Sequence, residues 1–110
     1  MNKAIEVACE CLDMIELTSP QYAKARGERV HLEDYRKVQL AILFTAAIGK
    51  TVAEKENWCR AHTDYQQVIR AHANAVEEEA ALYWKLKLAE AQIEVWRTMQ
   101  ATRRTEAKAL

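Results

Sequence analysis

Two apolar stripes run along the last part of this 110-residue chain, on opposite sides of one helix. Val68, Ala75, Leu82, Ala89 and Trp96 recur every seven residues, and His72, Glu79, Leu86, Ile93 and Gln100 repeat at the same interval four places on. This alternation of three and four is the spacing of a heptad seam. Ala80, Trp84, Leu88, Ala91, Val95 and Met99 form the second stripe, on the far side of the helix at about 100° per residue. A helix apolar on two sides has to be sandwiched. One cover is an earlier helix of the same chain, returning as an antiparallel hairpin. The other is a further subunit, because so short a chain offers little else.

The elements around this helix follow from breakers and caps. Residues 64–108 contain neither Gly nor Pro and predict one long helix, about 65 Å at about 1.5 Å per residue. Upstream, Ile5, Ala8, Leu12 and Ile15 make a helical stripe and predict a first helix over 2–17. Thr18-Ser19-Pro20 reads as a break, with Ser19 as N-cap and Pro20 in the first turn of a second helix, 20–48. Residues 38–48 are apolar almost all round, which predicts enclosure, and Gly49 is placed to end that helix. Thr51-Val52-Ala53-Glu54 is a capping box and predicts a short third helix over 52–61. His62-Thr63-Asp64 is a second break, with Thr63 and Gln66 as a further box. The expected fold is therefore all-α, a single helical domain over 1–110: an elongated antiparallel hairpin with a long C-terminal helix, self-associating into a helical bundle. With two Gly and one Pro in the chain, composition agrees.

Charge changes the picture in one respect. Sixteen basic and sixteen acidic residues cancel, so the chain has no overall basic field. They are segregated, however: residues 1–17 carry four acids and one base, and 85–110 carry six bases and three acids. Such a chain can bind a polyanion locally or pair its own ends head to tail. Residues 38–49 are too short to span a bilayer, and Glu6, Glu10, Asp13 and Glu16 interrupt any apolar run near the start, so neither a membrane span nor a signal peptide is expected. Three cysteines without a framework point to a reducing cytoplasm.

Candidate chemistry is sparse. The chain has no phosphate-cradling glycine loop, no HExxH and no nucleophile elbow, so no catalytic residue is assigned and no enzyme is expected. Glu77-Glu78-Glu79 fan around a helix and do not converge. Cys59 and His62 have half a zinc-site spacing that Cys9 and Cys11 could complete, but buried cysteines are commonly small hydrophobes and His62 stands where a cap is expected. No metal and no cofactor are assigned. His72 reads as a core or register-setting histidine. The strongest site candidate is the basic C-terminal strip. Arg97, Arg104 and Lys108 share one face, while Trp96 and Arg103 share another. Cations track phosphates and an indole can stack a base, which is what single-stranded nucleic acid requires. The competing role is structural, with Trp96 closing the seam and the arginines complementing the helix dipole.

GKTVAEKENW (49–58), Tyr65, and LYWKLKLAEAQIEVWRTMQATRR (82–104) together resemble a family of small phage-encoded helical proteins of recombination modules, distantly similar to the UvsY recombination mediators. Glu94-Val95-Trp96-Arg97 carries most of the likeness; Tyr83-Trp84 departs from a usual Leu-Arg pair. The resemblance implies a homo-oligomeric, non-enzymatic protein of the infected host's cytoplasm. It would bind single-stranded DNA and assist recombinase loading, with a recombinase or single-strand-binding protein as partner. Its implied DNA face is Trp96, Arg97, Arg103 and Arg104, to which spacing adds Lys108. The alternative function is a protein–protein adaptor or inhibitor whose second apolar stripe docks another protein's helix.

Overall fold

The computed structural model describes residues 3–109, whose regular secondary structure is α-helix throughout. The elements are α1 (Lys3–Phe44), α2 (Val52–Ala61) and α3 (Thr63–Ala109). Two compact units are formed: residues 1–23 with 80–110, here unit 1, and residues 24–79, here unit 2.

The break expected at residues 18–20 does not exist. α1 runs continuously through Pro20, so the expected helices 2–17 and 20–48 are one element. Proline removes a backbone donor and crowds the carbonyl four residues back, at about 3 kcal/mol. The neighbouring side chains are placed as in a helix interior. Ser19, read as an N-cap, instead donates its hydroxyl to the Ile15 carbonyl at 2.7 Å. Thr18, one turn-step away, is fully buried against α3 and ties the segment to it. Packing along a long seam outweighs the local signal.

That seam also differs from the stripe first read in residues 2–17. On α1 the inward positions of unit 1 are Ala4, Ala8, Cys11, Ile15, Thr18 and Tyr22, all buried or half-buried. They alternate four and three, a heptad spacing. Ile5 and Leu12, expected inside, are 41% and 57% exposed. Small residues, Ala4, Ala8 and Cys11, hold the inward positions at the start of α1, and Ile5 and Leu12 lie on its flanks. From α3 the facing residues are Leu82, Leu86, Ala89, Ile93, Trp96 and Gln100. The helices are antiparallel: the Cys11 thiol donates to Gln92 Oε1 at 3.1 Å, and the Tyr22 and Tyr83 rings lie 6.1 Å apart.

Unit 2 keeps the antiparallel pairing but fills its seam differently. Ala25, Gln39 and Leu43 of α1 and Ala75 of α3 are buried, with Leu32, Arg36, Tyr65 and Val68 half-buried among them. At the centre, Arg29 pairs with Glu79 across the seam and donates to Glu33 on its own helix at 3.1 Å. His72 Nε2 lies 3.7 Å from the other Glu33 oxygen, too far for a hydrogen bond. α2 contributes Cys59, 1% exposed, and half-buried Trp58.

The turn in unit 2 is locked by its caps. α1 ends at Phe44, not near 48, and the chain leaves it through tight bonds such as Ala46 N–H to the Leu43 carbonyl, 3.0 Å. The apolar run 38–48 is covered on one side rather than enclosed: Leu43 is buried, whereas Val38 is 50% exposed, Ile42 54% and Ile48 74%. Gly49 does not cap α1 either. It brings the backbone against α2, where a Cβ would stand 2.8 Å from Glu54 Cβ, with φ at +157°. Thr51 Oγ1 accepts from Glu54 N–H at 3.1 Å, and Glu54 Oε2 accepts from Lys50 N–H at 2.7 Å. At the far end of α2 the expected Thr63/Gln66 box is replaced. His62 Nδ1 accepts from Asp64 N–H at 3.1 Å, and the Gln66 amide donates to the Arg60 carbonyl at 2.6 Å.

Candidate association and polyanion surfaces

Unit 1 holds every residue singled out for association or for DNA. On α3 the second stripe faces outward: Trp84 is 68% exposed, Leu88 61%, Val95 60% and Met99 43%, with Ala80 and Ala91 exposed between them. An exposed Leu or Val alone is unremarkable, whereas a continuous apolar row at helical spacing is the kind of surface that marks interaction sites.

Part of this row turns into a groove beside the seam. Val7 and Met14 precede the inward residues Ala8 and Ile15 on α1 and flank the seam on the side where Leu88, Val95 and Met99 border it on α3. One stretch of this flank, about 400 Å³, has Val7, Val95, Trp96 and Met99 as its apolar lining, with the cations of Lys3 and Arg103 at its edge. The next stretch, lined by Glu10 and Lys85, is of mixed sign.

The basic candidates divide. Trp96 is half-buried in the seam, with its indole Nε1 shielded and without a hydrogen-bond partner among the described residues. Its ring is thus committed to packing against α1 rather than held out to stack on a base. Arg97 is exposed and donates to Glu94 at 2.9 Å. From Ala101 to Ala109 every residue is exposed, which leaves Arg103, Arg104 and Lys108 in solvent. Among the described residues none of these three forms an ion pair. Lys108, in the last turn, complements the negative end of the helix dipole. Unit 1 as a whole is neutral, with seven basic and seven acidic residues in its sequence, so any polyanion contact is local to this strip. The Lys87 ammonium, hydrogen-bonded to Glu90 and beside its charge, holds its proton above the usual lysine range.

The remaining candidates have structural roles in their own units. Cys11 is buried and bonded to Gln92, Cys9 is exposed, Cys59 is buried, and His62 is a helix cap. No three His, Cys, Asp or Glu side chains among the described residues are grouped to hold a metal ion. Glu77 and Glu78 are exposed, whereas Glu79 turns inward to Arg29. Arg29 is the residue that reasoning from sequence missed, because an arginine interrupts any apolar stripe drawn through it. The signal was its place in the repeat Ala25, Arg29, Leu32, Arg36. No described helix is long and apolar enough to cross a membrane.

No family model matches this chain, and neither a curated protein nor a solved structure matches it.

Proposed function

We propose that this protein is a non-enzymatic helical assembly unit that self-associates through Ala80, Trp84, Leu88, Ala91, Val95 and Met99. The assembly presents Arg97, Arg103, Arg104 and Lys108 to single-stranded DNA in a recombination-mediator-like role, alongside a recombinase or a single-strand-binding protein. The observation that carries the reading is the exposure of the stripe, from 43% at Met99 to 68% at Trp84, along a helix whose other side is already covered. The nucleic-acid part is supported by the resemblance of residues 82–104 and by three cations at the end of α3 that form no ion pair among the described residues. With Trp96 turned into the seam, the contact is one of charge, weak for each protomer and summed over many by effective concentration.

Two measurements test this. Sedimentation velocity of the wild type against Leu88→Glu/Val95→Glu should show an assembly reduced to protomers. Anisotropy of a labelled oligonucleotide should show binding that prefers the single strand and falls steeply with salt, since each phosphate contact releases counterions with a slope of about −0.7 per contact. Arg97→Ala/Arg103→Ala/Arg104→Ala should lose that binding at unchanged assembly size; unchanged affinity would remove the strip from the proposal. A second reading is favoured by Trp84, the most exposed aromatic side chain of the stripe and the residue type most often at the centre of protein interfaces. In that reading the stripe docks a different protein, as an adaptor or inhibitor would. A wild type that remains a protomer at high concentration and binds no DNA would put this reading first.

A further inference from the structure

The two flanks of unit 1 differ in a way that defines the contact between copies. Ile5 and Leu12 follow the inward residues Ala4 and Cys11 on α1, whereas Val7 and Met14 precede Ala8 and Ile15. One residue forward and one residue back lie about 100° to either side, so these pairs occupy opposite flanks. The Val7 flank opens into the groove with Lys3 and Arg103 at its edge. The Ile5–Leu12 face is also apolar and exposed, but its charged neighbours along α1 are Glu6, Asp13 and Glu16, all exposed. Among the described residues none of these three acids, nor Lys3 or Arg103, takes part in an ion pair. Each copy therefore carries an apolar groove edged with unpaired cations and, on its other flank, an apolar ridge edged with unpaired anions.

We propose that the groove of one copy receives the acidic α1 ridge of the next, Ile5 and Leu12 seating toward Val95 and Met99 while Glu6 and Asp13 approach Lys3 and Arg103. This rests on the self-association reading and names the partner of its Val95–Met99 end: a second copy of this chain, through its first helix. The choice follows from charge. Two grooves face to face would oppose cations to cations, and two ridges anions to anions, at a cost in both cases. The resulting contact is heterologous. Each copy in a pair keeps one groove and one ridge unused, so assembly passes beyond two copies until it closes or extends. The same contact gives the segregated charge of the sequence a purpose, since a neutral chain with an acidic start and a basic end is complementary to itself head to tail.

Charge reversal in two chains tests this without touching either seam. Lys3→Glu/Arg103→Glu makes the groove acidic; Glu6→Lys/Asp13→Lys/Glu16→Lys makes the ridge basic. Each variant alone opposes like charges, so each should sediment as a protomer where the wild type assembles, with association weakened at least tenfold. Mixed in equal amounts, groove and ridge are complementary again in both directions, and assembly should return to wild-type size in strict alternation. Circular dichroism confirms that both variants are as helical as the wild type. Raising the salt concentration on the wild type alone is the independent measure: it should shrink the assembly, whereas an association by apolar contact only would hold or grow. Assembly of either variant at wild-type strength, or a mixture that fails to recover, overturns this contact while leaving self-association in place. A wild type that is a protomer at every concentration overturns both.

Discussion

The same antiparallel pairing of α1 and α3 is filled in opposite ways by the two units. Unit 1 closes its seam with Ala4, Ala8, Cys11 and Ala89 and turns Ile5, Leu12, Leu88 and Val95 outward. Unit 2 places an arginine, two glutamates and a histidine between its helices and locks its turn with Thr51, Glu54 and His62. Apolar small-residue contacts tolerate a slip of one heptad; a charged pair with defined partners does not. Unit 2 thus holds the charged pairing between its helices, and unit 1 exposes a continuous apolar row. Charged pairing and exposed apolar row are divided between the two units.

The strongest way to break that division is at Glu79. Truncation to Ala removes the partner that the Arg29 guanidinium meets across the seam. Loss of one partner of a buried pair costs about 3–5 kcal/mol, and the exposure here, 25% for Arg29 and 14% for Glu79, puts the expectation near the lower end, about 3 kcal/mol. Thermal unfolding at fixed protein concentration reads it. Arg29→Leu/Glu79→Leu should recover most of the loss, because the charges are removed together, yet its helices should pair in more than one register by cysteine cross-linking. Full recovery with a single register would show that the charges are not the register device.

Pro20 tests the other half of the contrast. If packing holds α1 straight against its proline, Pro20→Ala should stabilise the protein by about 2–3 kcal/mol, the relief of a lost hydrogen bond and a clash. A neutral result would mean that α1 has relaxed around the ring at no net cost. Gly49→Ala is next, expected to destabilise by about 2 kcal/mol, since a Cβ at that position meets Glu54 and the backbone conformation is one that side chains avoid. Its effect should be confined to the α1–α2 turn, visible as faster amide exchange in α2 and none in unit 1.

How much of this was legible in the sequence depended on which force decided each point. All ten residues of the α3 heptad seam are buried or half-buried, because a long run without breakers lets periodicity speak alone. The cap at Thr51 is made by local atoms and was readable for the same reason. Residues 18–20 misled because Ser and Pro are strong local signals, and what overrode them lies on another helix, far along the chain. The α1 seam was hidden by composition: Thr18, Arg29 and Gln39 are polar, so an apolar stripe drawn through Ile5 and Leu12 looked better than the true one. Of the site residues, the stripe was placed by angle alone, whereas Trp96 belonged to both patterns and only its burial separates packing from display.

The smallest effect expected sits in the seam of unit 1 itself. Thr18 is fully buried and its hydroxyl has no partner among the described residues. An unsatisfied hydroxyl in an apolar seam costs on the order of 1 kcal/mol, so Thr18→Val, which exchanges it for a methyl of similar shape, should stabilise by about that amount. The two residues have similar helix propensities, so the backbone contributes little to the difference. For a chain of this size the midpoint should rise by about 4 °C. Thr18→Ser supplies the control: it keeps the hydroxyl, loses the methyl, and should destabilise. A lower midpoint for the valine variant would mean that the hydroxyl is bonded in solution, and unit 1 would then contain a second polar contact in its seam beside Cys11–Gln92. The division between the two units would shrink to a difference of degree.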